Sequence, residues 1–218
     1  MHRRTLILSG LAAAATGGCA TTASQPPATD PQYTGEPNFP VGVDRSAPTY
    51  TADELIATGS RSLGVAAEVV GGAIERIFSD QQGRQPTAYI AGTEGAGAAG
   101  VGLRYGQGKL YIRADNPPGA AEPVPSRDVF WQGISIGWDI GGNAARVFTL
   151  IYDLYQPDQI YRRYPGVEGS AYLIGGLGVN YQQADGIILA PIRAGVGLRL
   201  GANVGTMAYS RQRNLLPF

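Results

Sequence analysis

The sequence predicts a mainly β fold: a small antiparallel β-barrel of about eight to ten strands, with one N-terminal amphipathic helix and a short helix between strands. Three observations predict it. From Thr87 onward apolar and polar residues alternate with period two, as in strands with one buried face. Before that, a single apolar stripe from Leu55 to Ile77, at spacings of three and four, marks a helix. Glycine supplies 32 of 218 residues, about twice the usual share, and much of it lies inside strand patterns. There it costs packing unless the backbone bends or approaches a neighbour closely.

The chain opens on a positive Met1-His2-Arg3-Arg4, followed by an apolar run from Thr5 to Ala15 and the small residues Thr16-Gly17-Gly18 ahead of Cys19. Charged, apolar, then small is the layout of a secretory signal, and the run is shorter than the ~20 residues of a membrane span. Cys19 is placed as in the lipobox of bacterial lipoproteins, where the cysteine is acylated and becomes the first residue. The plain alternative is a signal peptide with an incidental cysteine. Arg3-Arg4 also resembles the twin-arginine export signal. Ala20 after the cysteine points to the outer membrane. The expectation is a signal peptide over 1–19, lipidation at Cys19, and a periplasmic protein held at the outer membrane by its lipid. Residues 20–50, rich in Pro, Thr, Ser and Gln, bury too little apolar surface to order and read as a flexible tether.

Residues 51–218 form the folded domain. Thr51-Ala-Asp-Glu54 is a capping box. Leu55, Gly59, Leu63, Ala66, Val70, Ala73, Ile74 and Ile77 then line one helical face, with Gly59, Gly64 and Gly71-Gly72 as points where the helix can kink or split. Lys and Arg do not crowd the opposite face, so the stripe reads as packing on a sheet, not on a membrane.

Strands are expected over Thr87–Glu94, Ala99–Tyr105, Lys109–Arg113, Val129–Trp138, Ala145–Asp153, Ser170–Gln182, Gly186–Leu200 and Val204–Arg211. Gly106-Gln107-Gly108 and Gly141-Gly142-Asn143 read as hairpin connections. Asn116–Ser126 is a Pro-rich surface loop. Pro157 opens a short helix through Tyr164, stopped by Pro165-Gly166. The segment Ala99–Arg104 recurs at Ala194–Arg199, a single match in a glycine-rich chain.

The only cysteine is Cys19 and the only histidine His2. This removes an internal disulfide, Cys/His zinc sites and His-dependent triads from the folded domain. Loss of Arg3 and Arg4 with the leader takes 17 basic residues to 15, against 17 acidic, so no field of one sign invites nucleic acid. Gly95–Gly100 matches a dinucleotide fingerprint, but a strand follows where the fingerprint needs a helix. Gly133-Ile-Ser135-Ile-Gly137 matches a nucleophile elbow, but it lies within a strand and has no histidine base. Glu94, Asp139 and Asp153 sit at expected strand ends, where a glycosidase-type pair could stand. Turn capping or an arginine partner, such as Arg146 for Asp139, is the simpler reading. Terminal Phe218 is shared with outer-membrane barrels, yet Pro217 interrupts any last strand.

Arginine is the charged residue used with emphasis among the strands. Guanidinium binds carboxylate or phosphate through two prongs, so these side chains either pair across strands or hold an anionic headgroup at the barrel mouth. The candidate ligand-binding residues are Arg104, Lys109, Trp131, Trp138, Asp139, Arg146, Arg193 and Arg199.

Tyr50-Thr-Ala-Asp-Glu-Leu55, Gly102–Tyr111, Val129–Gly133, Gly137–Gly142, Val167–Tyr172 and Pro191–Asn203 resemble the envelope integrity protein A (EipA-like) family, from about Tyr50 to Phe218. The glycine-rich strands are more distantly similar to SYLF lipid-binding domains. The resemblance implies a periplasmic β-barrel supporting cell-envelope integrity, with no catalytic residues; no cofactor is expected. The likeness to SYLF domains implies that phospholipid binding is conceivable. Cys19 departs from the ordinary secreted members. The expectation is therefore a non-enzymatic lipoprotein whose partners are the membrane, through its anchor, and a phospholipid or other envelope component. The rival expectations are a scaffold for an envelope protein or peptidoglycan, and a carboxylate-based hydrolase.

Overall fold

The computed structural model describes residues 47–99, 101–119, 123–136, 141–167, 170–195 and 205–214. Cys19, nearly all of the proline-rich arm, Trp138, Asp139, Arg199 and Phe218 lie outside the described residues.

The expected helix forms as two. α1 (Ala52–Leu63) starts at the capping box: the Thr51 hydroxyl accepts from the Glu54 amide, and Glu54 Oε2 accepts from the Thr51 amide at 2.9 Å. It ends at Gly64, whose left-handed φ of 66° suits glycine. α2 (Ala67–Asp80) follows at once. The break at Gly64 moves Ala66 out of the stripe and into solvent, whereas Gly71 and Gly72 stay helical. The stripe packs on the sheet as its small residues imply: a Cβ at Gly59 would come within 3.1 Å of both Phe148 and Val70.

Ten strands make one antiparallel sheet. They are β1 (Ala88–Ala99), β2 (Val101–Ile112), β3 (Arg127–Ile136), β4 (Gly141–Tyr152), β5 (Arg163–Pro165), β6 (Tyr172–Ile174), β7 (Leu177–Val179), β8 (Gln182–Ala184), β9 (Ile187–Gly195) and β10 (Gly205–Ser210). Their order is β5-β10-β3-β2-β1-β4-β9-β7-β6, with β8 also on β9. The sheet curls until its two sides meet. Gly166 bridges Gln182, the Val167 amide donates to the Tyr181 carbonyl at 2.9 Å, and Arg162 pairs with Asp185.

Period two sorts the side chains into two cores. Ile90, Leu110, Val129, Trp131, Ile151, Tyr164, Leu189 and Met207 point into the ring and fill it. Tyr89, Phe148, Leu150, Val179 and Ile192 point outward and are covered by Leu55, Val70, Ile74 and Ile77 of the helices. At the helix–sheet seam Tyr89 lies between Tyr50 and Tyr111, with ring centroids 5.0 and 4.7 Å away. Arg113 caps the stack, 4.8 Å above the Tyr50 ring, and donates to Glu54 at 2.9 Å, so the capping box is tied to the end of β2.

Several expected boundaries move. Gly106-Gln107-Gly108 is not a turn but the middle of β2, and the chain reverses instead between Ala99 and Val101. Gly141–Asn143 is likewise not a hairpin connection, because it pairs with β1 inside β4, while β3 pairs with β2 and β10. The short helix is a 3-10 turn over Pro157–Ile160, cut short because Tyr164 pairs with Met207 in the sheet. The Ser170–Gln182 run breaks into β6, β7 and β8 through a turn at Gly175-Gly176, both with positive φ.

The misread glycines have a different task. A Cβ on Gly106 would stand 2.0 Å from Trp131 Cε2, and one on Gly92 would stand 2.9 Å from Trp131 Cη2. The two residues form a bare patch of backbone on which the indole lies. Gly106→Ala is therefore expected to lower the urea midpoint, at unchanged m, by an amount worth about 1–3 kcal/mol. Gly97→Ala, with nothing within 4 Å of the new methyl, leaves the midpoint within error.

Candidate functional site

The inward face of β1 carries one charged residue in the filled ring, Glu94, 4% exposed. Its neighbours across β2 and β4 are Gly106 and Ala145, so small residues flank it on both sides. Burying a lone carboxylate is costly unless it is paired and hydrogen-bonded. Three other strands supply the donors. Arg193 of β9 donates through Nε to Oε1 at 3.0 Å, and Arg104 of β2 donates through Nη1 to the same oxygen at 3.3 Å. Trp131 of β3 donates its indole N–H to Oε2 at 2.9 Å. Arg193 also donates to the Asn180 side-chain oxygen in the link between β7 and β8. Arg193 and Trp131 are buried, and Arg104 is half-buried.

Desolvation by itself raises the Glu94 carboxyl. The charges of Arg193 and Arg104, with the bonds from Arg193 and Trp131, overcome it and hold the group below the ordinary carboxylate range. Both oxygens are engaged by cations or N–H donors. Nearby, burial raises the Tyr209 phenol, with the Arg193 charge acting against it.

The structure thus brings Arg104, Trp131 and Arg193 together, but around Glu94. Lys109 and Arg146 are on the other face of the sheet. Lys109 pairs with Asp128 at 2.9 Å in solvent, and exposed Arg146 lies against the end of α1, within 2.5 Å of where a Gly64 Cβ would be. Trp138, Asp139 and Arg199 lie outside the described residues, as does the Cys19 lipidation site. Asp153 pairs with Arg84 beyond the end of β4. Among the described residues no group of His, Cys, Asp and Glu could hold a metal ion, and no helix is long and apolar enough to cross a membrane.

The family model for envelope integrity protein A matches residues 48–218, which span the helices and every strand of the sheet. The chain belongs to the envelope integrity protein A family. The crystal structure of a beta-barrel-like, uncharacterized protein from Brucella abortus is 42% identical. It aligns over 78% of this chain and 99% of its own length with a TM-score of 0.62. No curated protein matches. The family and the fold agree with the expectation from the motifs, and the family indicates a role in the envelope.

The sequence leaves turn capping or an arginine partner as the simpler role of Glu94; the structure gives it arginines, of which Arg193 is 99 residues away in the chain. Asn180 and the outer-face residue Gln132 carried no motif and were missed. The one available signal was Gln132 itself, a polar residue directly after the apolar-aromatic run Val129–Trp131.

Glu94→Gln leaves two guanidiniums around a neutral amide, and the expected cost is about 3–5 kcal/mol in denaturant unfolding. The pH dependence has a definite sign. Because the folded carboxyl lies below 4.5, its contribution is complete above about pH 4.5. It is lost as the pH falls through the lowered folded value. Acid titration of stability should show this slope in the parent chain and a shallower one in Glu94→Gln.

Proposed function

We propose that the protein supports the cell envelope by holding an envelope component, without catalysis, as a periplasmic lipoprotein anchored at the outer membrane through Cys19. The observation that carries this reading is the Glu94 cluster. Among the described acids at expected strand ends its carboxylate is the most deeply buried, and it is locked by two guanidiniums and an indole N–H. A general acid or base must exchange its proton with a substrate, whereas this group is committed to four strands. A paired-carboxylate hydrolase needs its two groups within about 5–9.5 Å. Glu94 pairs with Ala145, eight residues before Asp153, which sets them roughly 25 Å apart along the strand. Membership of the envelope integrity protein A family supports the envelope role. The order of residues 1–19 supports export and acylation.

The anchor is tested by fractionation: Cys19→Ser is expected to move the protein from the membrane pellet to the soluble periplasmic fraction. Equal distribution of both chains would rule the lipid out.

A second reading, in which the held component is a phospholipid, rests on the likeness of the glycine-rich strands to SYLF lipid-binding domains. It predicts that native mass spectrometry of the purified chain finds a co-purified lipid mass. It also predicts that Arg104→Gln removes that mass while the fold persists.

A further inference from the structure

A concavity lies on the face of the sheet opposite the Glu94 cluster. The outward side chains of β1, β2 and β3, beyond the area under α1 and α2, form a half-open groove of about 280 Å³ with the stretch that follows β10. Thr93, Tyr105, Gln107, Phe130, Gln132 and Asn214 line it. Register explains the grouping: Gly95 pairs with Tyr105 and Thr93 with Gln107, while Tyr105 and Gln107 in turn face Gln132 and Phe130.

Gln132 is the telling residue. It is 5% exposed, lines the groove, and has no side-chain hydrogen-bond partner among the described residues. Its amide atoms are not among the fully buried unpaired ones, so they open onto the groove, and a ligand there would take the place of water on them. The rest of the lining restricts what that ligand is. Among the described residues it contains no carboxylate, which disfavours a cation. Arg213, the one cation among the described lining residues, already donates to Gln107, which disfavours a strong anion. Three amides and two hydroxyls both donate and accept, and so match groups that do the same. Phe130 and Tyr105 add aromatic surface for an apolar face. A neutral ring with hydroxyls at its edge and C–H bonds on its face meets every one of these conditions, and the volume is at the small end of ligand sites.

We infer that this groove is a saccharide-binding site that takes one or two sugar units of an envelope glycan, with Gln132 as the buried hydrogen-bonding group. The inference rests on the holding role proposed above and names a ligand for it. It is separate from the anchor, and although Gly106 and Trp131 border both the groove and the Glu94 cluster, the groove's polar side chains lie on the other face, so either can fail without the other.

The test is an amide-resonance titration of the full-length Cys19→Ser chain with chitotriose, and with phosphatidylglycerol vesicles in a parallel arm. Saturable shifts confined to Thr93, Tyr105, Gln107 and Gln132, with a dissociation constant of about 1 mM or tighter, are expected. Gln132→Leu should weaken binding about tenfold or more. Gln107→Leu, at an exposed position, is a second variant that leaves the core untouched and should weaken it less. Three results would each overturn the site: no shifts, shifts elsewhere, or equal binding by both variants with unchanged melting. Shifts at these residues with vesicles but not with chitotriose would assign the groove to a lipid surface and reject the saccharide.

Discussion

A carboxylate sealed inside a ring of strands constrains everything around it. Glu94 is tolerable only because β2, β3 and β9 each deliver one donor to it, and each does so only in its observed register. Slipping any of these strands by one residue would turn its donor to the opposite face and leave an unpaired charge in the core. The apolar residues of the ring would accept many arrangements. The polar cluster accepts one, so it specifies the pairing that the apolar packing then stabilises.

The indole of Trp131 couples this charge chemistry to the shape of the sheet. Its N–H reaches Glu94 only because the ring lies flat across Gly92 and Gly106, where neither residue offers a side chain. Here the glycines make room and do not turn the chain. This is why Gly106-Gln107-Gly108 misleads when read locally: a pair of glycines flanking one polar residue is also what a hairpin tip looks like. The strand runs on for 12 residues, well beyond the usual five or six, because its neighbours β1 and β3 are themselves 12 and 10 residues long.

Much of the fold is legible because its causes are local. Thr51 and Glu54 are three apart and cap the first helix as their spacing says. Leu55, Gly59 and Leu63 share a face and bury it. Alternation along β1 separates Tyr89 from Ile90, one to each core. What stayed illegible depends on pairs far apart in the chain. Trp131, Arg104 and Arg193 stand out as residue types, but only the ring topology turns them toward one acid. Lys109 and Arg146 look equivalent to them and face the other way, because parity along a strand decides the side and cannot be read until the strand limits are known. Gln132 reads as an ordinary solvent-side position until the fold sets it in a groove with the segment after β10.

The placement of β10 bears on how the molecule is made. This strand is the last of the described ladder to be synthesised, yet it lies between β5 and β3, two strands that do not otherwise touch in the sheet order. Until Gly205–Ser210 arrives, both of those neighbours present bare amides and carbonyls, and the circle cannot shut. A chain delivered amino end first would carry two sticky edges through most of its delivery, so assembly would finish in a single late step, with chaperone protection most valuable just before it.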